Sequence, residues 1–383
     1  KTTSKYYTLH PSILVAWSAL YQDAISLCLA MKAAYINKRP EIGHLPTEFK
    51  IDHNQPKPSP EAILAHEVLV KVKASSINID DIHAGEGTFC GGIAILQTKK
   101  PSIETPLILG SDFAGEVVAV GKKVKDVKVG DRICGCNAQV YFHEPGTWAE
   151  FTITYADHFI TIPEFVPYSE AAALVYPLFV NAKMLRLAEP KDSDRVLVIG
   201  ASGGIGSVLI QVLRKVHPGI HIIAVCSGKN ASFVKSLGAN DVIDYTLTPI
   251  EDALDHGSLD TIFDYVGGDQ FRKTQVLLHR KGRFVTATGP VKWIGDKKLS
   301  IWEQISCIGA ILWNQMLNLI PGSRPYYYMA APLSLEKELF EMVFSNQIHP
   351  AVERTIKFTT TELSEAMSVV QSHRSRGRHV IEF

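Results

Sequence analysis

The chain has 383 residues, a formal net charge of zero at pH 7 and 46% hydrophobic residues. This length exceeds what a single hydrophobic core usually supports, so the sequence predicts a soluble protein of two domains. The balanced charge argues against a nucleic-acid partner, because such proteins ordinarily carry a strong basic excess or a basic patch.

The first thirty residues carry an apolar stripe at helical spacing, which predicts a helical extension over 1–30. Gln22 and Asp23 interrupt this stripe too early for a membrane span. Three interpretations stay open: a helix docked on the protein or on a partner, the remainder of a mitochondrial targeting segment, and a membrane-surface anchor. The apolar members are Ile13, Leu14, Trp17, Leu20, Tyr21, Ala24 and Cys28.

Short β-patterned segments follow over 31–176 and predict a β-rich domain. Turn-forming residues cluster at 55–60 and 129–132 and separate these segments. The predicted strands cover 31–36, 68–74, 115–120 and 151–154.

From about residue 177 the pattern changes to alternating strands and helices, which predicts a parallel sheet over 177–325. The last part, 326–383, contains a helix introduced by hydroxyl residues and a final strand, and we expect it to rejoin the first domain. The strands predicted in these two parts cover 196–199, 221–225, 241–244, 261–265, 282–286 and 378–383.

A glycine-rich turn connects the strand at 196–199 to an apolar helix at 207–216. This arrangement predicts a dinucleotide site in which the phosphates lie on the helix N-terminus. In such a turn Gly203 lets the backbone approach the pyrophosphate, whereas Gly206 permits close packing of helix on strand. The predicted cofactor-binding residues of the turn are Ala201, which replaces the usual first glycine, and Ser202, Gly203, Gly204, Ile205 and Gly206.

The next strand ends in Ser227-Gly-Lys229 and has no acid at the position where NAD-specific sites hold the ribose hydroxyls. A hydroxyl and an ammonium group suit a 2′-phosphate, so Ser227 and Lys229 favour NADPH over NADH. The alternative is that both residues belong to a solvated loop.

The six cysteines contain no CxxC pair and indicate free thiols in a reducing compartment. They are Cys28, Cys90, Cys134, Cys136, Cys226 and Cys307.

Several motifs distributed over the chain occur together, at 78–81, 110–117, 129–131, 146–150, 170–174, 200–206, 237–239, 264–268 and 376–380. This is the order found in medium-chain dehydrogenases/reductases, and the chain resembles this family over 31–383. It is most similar to the zinc-free, quinone-reductase-like branch and to the group of mitochondrial reticulon-interacting NADPH oxidoreductases. The resemblance implies an α/β fold: a GroES-like, β-rich catalytic domain and a doubly wound Rossmann domain.

The resemblance also implies functional residues outside the glycine turn. Asn78 and Asp81 are the implied catalytic residues, with the Asn78 amide donating a hydrogen bond beside the nicotinamide and the substrate carbonyl. The alternative for Asn78 is a residue that stabilises a turn. Further cofactor contacts are implied for Asn181 at the nicotinamide amide, for Tyr245 near the 2′-phosphate and for Val266.

Zinc-dependent relatives use a cysteine where this chain has Asn78 and a His-Glu pair where it has Ser111-Asp112. Since a catalytic zinc needs about three protein ligands, the sequence predicts a site without metal. A four-cysteine structural zinc lobe is not expected either, because only Cys134 and Cys136 lie in its region. His83 and His143 are the remaining candidate ligands.

The predicted activity is an NADPH-dependent reduction of a quinone, an enone or a related activated alkene or carbonyl. Phe89 stands where enoyl-thioester reductases of the family carry a tyrosine acid, and a phenyl ring donates no proton. The alternative function is a nucleotide-binding accessory or assembly subunit of a larger mitochondrial complex.

The expected location is mitochondrial, or otherwise cytoplasmic. The expected partners are an apolar small-molecule substrate and a second copy or a larger complex. A long apolar stretch at 301–320 is interrupted by Glu303, Gln304, Asn314, Gln315 and Asn318 and is predicted to be a lid or an interface. Peripheral contact with a membrane surface is the other possibility for this stretch.

Overall fold

The computed structural model describes residues 30–88, 99–137, 145–320, 323, 325–329 and 335–383. The predicted helical extension before residue 30 lies outside these ranges, as do Phe89 and His143. Of the six cysteines, Cys28 and Cys90 also lie outside. The four that are described, Cys134, Cys136, Cys226 and Cys307, form no disulfide with one another.

Strands and helices alternate with turns throughout the described ranges. The strands are β1 (Ala30–Ile36), β2 (Lys50–Pro56), β3 (Glu67–Ser76), β4 (Leu107–Ile108), β5 (Asp112–Val120), β6 (Arg132–Cys136), β7 (Phe151–Tyr155), β8 (Phe159–Thr161), β9 (Arg195–Ile199), β10 (His221–Cys226), β11 (Asp241–Asp244), β12 (Leu259–Asp264), β13 (Leu278–Thr286), β14 (Tyr326–Tyr328), β15 (Val352–Lys357) and β16 (Arg378–Glu382). The α-helices are α1 (Leu45–Glu48), α2 (Ile79–Glu86), α3 (Tyr168–Ala188), α4 (Gly204–Val216), α5 (Ala231–Ser236), α6 (Gln270–Thr274), α7 (Ile301–Leu317), α8 (Lys337–Ser345) and α9 (Thr360–Gln371).

Six strands form one parallel sheet in the order β11-β10-β9-β12-β13-β14. The order reverses beside β9, which is the arrangement of a doubly wound nucleotide-binding sheet. The predicted Rossmann architecture is therefore confirmed. β14 begins at Tyr326, directly after the predicted boundary at 325, and still pairs with β13. The sequence did not predict this short edge strand.

A second, mixed sheet has the order β15-β16-β3-β5-β6-β8, with β7 also paired to β3. The last strand of the chain runs antiparallel to β3, with Val380 opposite Ser76. The last strand thus belongs to the same sheet as β3 and β5. A smaller sheet, β2-β1-β4, covers the start of the described chain.

Helix α3 joins the two parts of the fold. Its N-terminal half packs in one hydrophobic core with Ala74 and Phe340, whereas Val180 and Met184 pack in another core with the parallel sheet. By length and composition alone α3 could cross a membrane, but 72% of its most apolar window is buried inside the protein. The helix also contains Pro177, so the predicted domain boundary at 176/177 falls inside it.

Candidate nucleotide and substrate cleft

A cavity of about 1520 Å³ opens where β9 and β10 of the parallel sheet end, beside Ile199 and Val225. Ligands of doubly wound folds bind outside the carboxyl ends of the strands, where the strand order reverses. The volume exceeds the roughly 300–1,000 Å³ of ordinary small-molecule pockets. It therefore offers room for a dinucleotide together with a second ligand.

The glycine turn forms one wall of this cavity, and α4 begins at Gly204 within it. A Cβ atom at Gly206 would lie 2.5 Å from the carbonyl oxygen of Gly200, so close packing of helix on strand requires glycine there. At Gly203 a Cβ atom would meet nothing closer than 3.4 Å. The space beside Gly203 is therefore open to a ligand at the helix N-terminus.

Most of the predicted cofactor residues line the cavity, but Ala201 and Asn181 do not. Asn181 is fully buried: its Nδ2 donates to the Ile205 carbonyl at 3.2 Å, and its Oδ1 accepts from the Tyr265 hydroxyl at 2.6 Å. Asn181 thus fixes the glycine turn to α3, and its contact with a cofactor stays a prediction. The predicted cofactor residues that line the cavity are Ser202, Gly203, Gly204, Ile205, Gly206, Ser227, Lys229, Tyr245 and Val266.

The end of the cavity next to β10 is formed by Ser227, Lys229 and Tyr245. The side chain of Lys229 is exposed, and Tyr245 is 58% exposed. The nearest strand-end acid, Asp244, accepts hydrogen bonds from Thr246 N at 2.9 Å and from Thr246 Oγ1 at 2.6 Å, and it does not line the cavity. Asp244 Oδ2 lies against the backbone of Gly228, behind this end of the wall, and the side chains that line the wall there are a cation and hydroxyl groups.

The structure places Asn78 outside the cavity wall, 1% exposed. Its Nδ2 donates to Ser111 Oγ at 3.2 Å and to Asp112 Oδ2 at 3.1 Å, and its Oδ1 accepts from Arg378 Nη2 at 2.5 Å. Both amide hydrogens are thus used within the protein. In this geometry Asn78 has no N–H left for the predicted hydrogen bond to a substrate carbonyl. The contacts instead support the alternative that Asn78 stabilises the turn in which it lies.

Asp81, the other predicted catalytic residue, is also fully buried and does not line the cavity. Its Oδ2 accepts from the backbone N–H of Asn78 at 2.9 Å, which completes a capping box at the start of α2. Its Oδ1 accepts from the Ser111 hydroxyl at 2.8 Å. Asp81 therefore holds the start of α2 against the strand that carries Ser111.

Arg378 lines the cavity, although the sequence marked it only as part of the closing motif. Its side chain lies against Gly204, and Gly377 forms a bridge with Gly203. Its Nη2 lies 3.4 Å from Asp112 Oδ2, and its buried Nε has no hydrogen-bond partner among the described residues. A guanidinium beside a helix N-terminus favours an anion at this point.

Asp112 is the buried counter-ion of Arg378. Burial raises the pKa of Asp112, and the charge of Arg378 together with the hydrogen bonds from Ser76 opposes that shift. Ser76 N donates to Asp112 Oδ1 at 2.7 Å. The pair thus ties β16, β3 and β5 together behind the cavity wall.

A second group of wall residues surrounds the part of the cavity beyond the glycine turn. Tyr176 donates its hydroxyl hydrogen to Asp80, and its pKa is raised well above the usual value by burial and by that carboxylate. His83 Nε2 lies 3.0 Å from Asp296 Oδ1. Burial opposes charge on His83, but the bonds to Asp296 and Asp80 outweigh it and raise its pKa to about 9.

Sequence reasoning missed several of these wall residues because they come from distant parts of the chain. The apolar ones near His83 include Ile79, Phe179 and Ile294. The missed polar and aromatic ones are Tyr176, Tyr265, Lys292, Trp293, His373, Arg374 and Arg378.

Within the described ranges, no three residues among His, Cys, Asp and Glu are grouped so that they could hold a metal ion. His83, one of the two candidate ligands, is bonded to Asp296. The absence of zinc from this protein stays a prediction.

Two family models match the chain. The GroES-like domain of alcohol dehydrogenases matches residues 64–164, and the model described as zinc-binding dehydrogenase matches residues 237–381. The mitochondrial NAD(P)H oxidoreductase RTN4IP1 of Mus musculus is 31% identical over 333 residues, which cover 82% of this chain and 81% of the relative. The chloroplastic NADPH-dependent alkenal/one oxidoreductase of Arabidopsis thaliana is 26% identical over 318 residues, which cover 82% of this chain and 72% of the relative.

Two solved structures share the fold over most of the chain. The quinone oxidoreductase from Coxiella burnetii has a TM-score of 0.73 and 24% identity, covering 92% of this chain and 99% of its own. A mycobacterial protein solved in complex with NADPH has a TM-score of 0.68 and 22% identity, and the match covers 92% of this chain and 100% of that protein.

Proposed function

The chain belongs to the quinone-oxidoreductase-like branch of the medium-chain dehydrogenases/reductases, and from that premise we propose that it is an NADPH-dependent reductase of quinones, enones or related activated alkenes and carbonyls. Members of this family are nicotinamide-dependent oxidoreductases. The observation that carries the proposal is the single large cleft that combines a glycine turn, a cationic end and an apolar end among the described residues.

The cationic end supports NADPH as the cofactor. Lys229 and Ser227 supply the donors that a 2′-phosphate requires, and the described wall has no carboxylate there to repel it. Arg378 and the N-terminus of α4 supply donors for the pyrophosphate, and the partnerless Nε of Arg378 fits such a ligand. Val266 and Tyr265 would then border the nicotinamide.

The apolar end supports a flat, uncharged substrate, because its wall contains Ile79, Phe179 and Ile294. When bound, NADPH supplies a hydride, which reduces the β-carbon of an activated alkene and leaves NADP⁺. The α-carbon then needs one proton. His83 lines the same wall and is protonated at neutral pH, since its pKa is raised to about 9. Its Nε2–H is directed at Asp296, so the proton that it can donate is the one on Nδ1, which lies 3.8 Å from Asp80 Oδ1 and has no hydrogen-bond partner among the described residues. His83 replaces the acid that Phe89 does not provide.

The test is NADPH oxidation by the purified protein against a panel of quinones, enones and enoyl thioesters, with any bound nucleotide identified by mass spectrometry. We expect turnover with quinones or enones, weaker turnover with enoyl thioesters, and NADPH or NADP⁺ as the bound nucleotide. Bound NAD⁺, or no oxidation with any acceptor, would contradict the proposal.

The proposed location is the mitochondrion, because the first relatives found are named as mitochondrial at about 30% identity. Fractionation of cells that express the full-length chain tests this proposal. Recovery in the cytosolic fraction alone would overturn it.

The exposed face of α7 supports a partner surface. Nine apolar side chains of α7 and of the turn that follows it, which we call the α7 stripe, are at least 42% exposed. With two tryptophans they offer an area on the order of the 800 Å² that each partner of a stable dimer buries. They are Ile301, Trp302, Ile305, Ile308, Leu312, Trp313, Met316, Leu319 and Ile320.

We propose that this stripe packs on the same stripe of a second copy. The helix has one charged residue, Glu303, which Lys297 neutralises at 2.7 Å, so two copies meet without like charges. Helices that bind membrane surfaces carry Lys or Arg on their polar face, and α7 has neither. The same stripe is the observation that favours the accessory-subunit alternative.

A further inference from the structure

The segment from Gly289 to Asp296, which we call the strap, leaves the end of β13 and lines the cavity through Lys292, Trp293 and Ile294. Its first end is held where Gly268 N donates to the Gly289 carbonyl at 3.1 Å. Its middle is held where Trp293 N donates to the Val266 carbonyl at 3.1 Å. The strap is therefore attached directly beside a wall residue predicted to contact the cofactor.

The far end of the strap is held by side chains from two distant elements. Asp296 Oδ1 lies 3.0 Å from His83 Nε2 of α2, and Asp296 Oδ2 lies 2.8 Å from His373 Nε2, just after α9. The Trp293 ring stacks on the His373 ring, with centroids 4.2 Å apart and planes 9° apart. One carboxylate thus joins the parallel-sheet part to the β-rich part and to the returning chain.

The strap also packs closely on α2. A Cβ atom at Gly295 would overlap the His83 ring, so the backbone passes this ring at a distance that only glycine allows. Trp293 adopts a φ of +46°, which a bulky residue takes only when its surroundings hold it there. Both observations indicate a conformation that depends on the contacts at Asp296.

The contacts of Asp296 with His83 and His373 form a bridge, in which the neighbouring charges favour an ionised Asp296 carboxylate and a protonated His83. Burial raises the pKa of Asp296, but the hydrogen bonds from His373 and His83 outweigh it and hold the pKa below the usual range. The pKa of His83 is raised to about 9. Four other charged groups lie near the bridge. Asp80 on α2 lies 3.8 Å from His83 Nδ1, and Lys292 lies over the Trp293 ring. Arg374 follows His373 and lines the cavity, and Lys297, which follows Asp296, is paired with Glu303.

We propose that Asp296 is a positioning residue which, by bridging His83 and His373, closes the strap over the bound dinucleotide and slows its release. This inference rests on the proposed function, because the ligand that the strap retains is NADPH. Asp296 does not line the cavity and acts through Trp293 and Lys292, which do. Breaking the bridge frees one end of the strap while its attachment at Val266 remains.

The experiment is stopped-flow measurement of NADPH release from the full chain, comparing the wild type with Asp296→Asn. The asparagine keeps the volume and one acceptor oxygen but removes the charge, so we expect release about threefold to tenfold faster, as for loss of one ordinary hydrogen bond. Association should stay within about twofold, because the phosphate-binding groups are untouched. Equal release rates would overturn the proposal.

The pH dependence gives a second readout. The pKa of His83 is raised above its ordinary 6.5 to about 9, so the charged bridge is fully present below pH 6.5 and is lost as the pH rises through 9. Release from the wild type should therefore accelerate over this interval, and Asp296→Asn should flatten the profile. A variant profile as steep as that of the wild type would contradict the inference.

The matched control is Asp241→Asn, which removes a surface His–Asp pair: Asp241 Oδ2 lies 2.7 Å from His221 Nε2, away from the cavity wall. It should keep the wild-type rates and pH profile. Hydrogen exchange of backbone amides at 289–297 needs no ligand, and it should be faster in Asp296→Asn. If the wild type binds no NADPH, the proposed function fails, while unchanged exchange in the variant would refute the closed strap itself.

Discussion

Arg378 Nη2 and Asn78 Oδ1 lie 2.5 Å apart although 300 residues separate them in the chain. This contact brings the last strand onto the start of α2 and places the guanidinium beside the glycine turn. The same guanidinium faces the buried carboxylate of Asp112 at 3.4 Å. Arg378 therefore stabilises the fold and also supplies a donor at the proposed pyrophosphate site.

Replacing Arg378 by Gln should lower the free energy of unfolding by about 3–5 kcal/mol, because it leaves the Asp112 carboxylate buried without its counter-ion. Urea denaturation followed by circular dichroism measures the change. The control Arg354→Gln breaks an exposed pair with Glu365 and should cost no more than about 1 kcal/mol. Similar losses for both variants would contradict the structural importance of the buried pair.

Replacing Lys229 by Gln should weaken NADPH binding by about 1.5–3 kcal/mol, since one charged hydrogen bond to the 2′-phosphate is lost. NADH binding should change little. Isothermal titration with both nucleotides measures the difference. Lys235→Gln on α5, which does not line the cavity, is the control and should leave both affinities intact. Equal losses for NADPH and NADH in Lys229→Gln would remove the basis for the proposed cofactor preference.

Chelators should not affect activity. The positions that hold zinc in metal-dependent relatives carry Asn78, Ser111 and Asp112, and these side chains hydrogen-bond to one another. Elemental analysis of the purified protein, before and after dialysis against a chelator, checks this expectation. One tightly bound zinc per chain would disprove it.

Replacing His83 by Gln should slow alkene reduction at least tenfold, because proton donation by a positioned group typically contributes about 10²–10⁴-fold. In the wild type the rate should be constant below pH 8 or so and decline as the pH rises through about 9, where His83 loses its proton. The glutamine can still donate to Asp296, so NADPH binding should persist. An unchanged pH profile of the variant would assign the proton to another group.

The double change Trp302→Glu and Trp313→Glu should convert a dimer into a monomer. These side chains are 76% and 63% exposed, and new charges on both copies would repel across the stripe. Light scattering during gel filtration measures the mass at micromolar concentration. A monomeric wild type would refute the second-copy contact, and binding of the wild type to neutral lipid vesicles would assign the stripe to a membrane instead.

The sequence alone determined the family, the Rossmann pattern and the phosphate-binding turn, and the relatives and the sheet order bear out the family and the fold. These features are local: a buried strand, a glycine turn and an apolar helix follow one another within 195–216, and their physics needs no distant residue. Of the predicted strands, all have counterparts within the described residues. The short edge strands β4, β8 and β14 were missed, because two or three residues carry no periodicity. The longer strands β2, β6 and β15 were not predicted either.

Only the tertiary structure decided which polar groups face the cleft. Asn78 and Asn181 look available in the sequence, but each amide is used by partners that other elements bring to it. Conversely, Arg378, Trp293 and His83 reach the cavity wall through packing of the returning chain and the strap. His83 is held there by Asp296, which is 213 residues away in the chain. The hydrogen-bonding capacity of a buried side chain depends on what surrounds it in space, and sequence spacing does not record that.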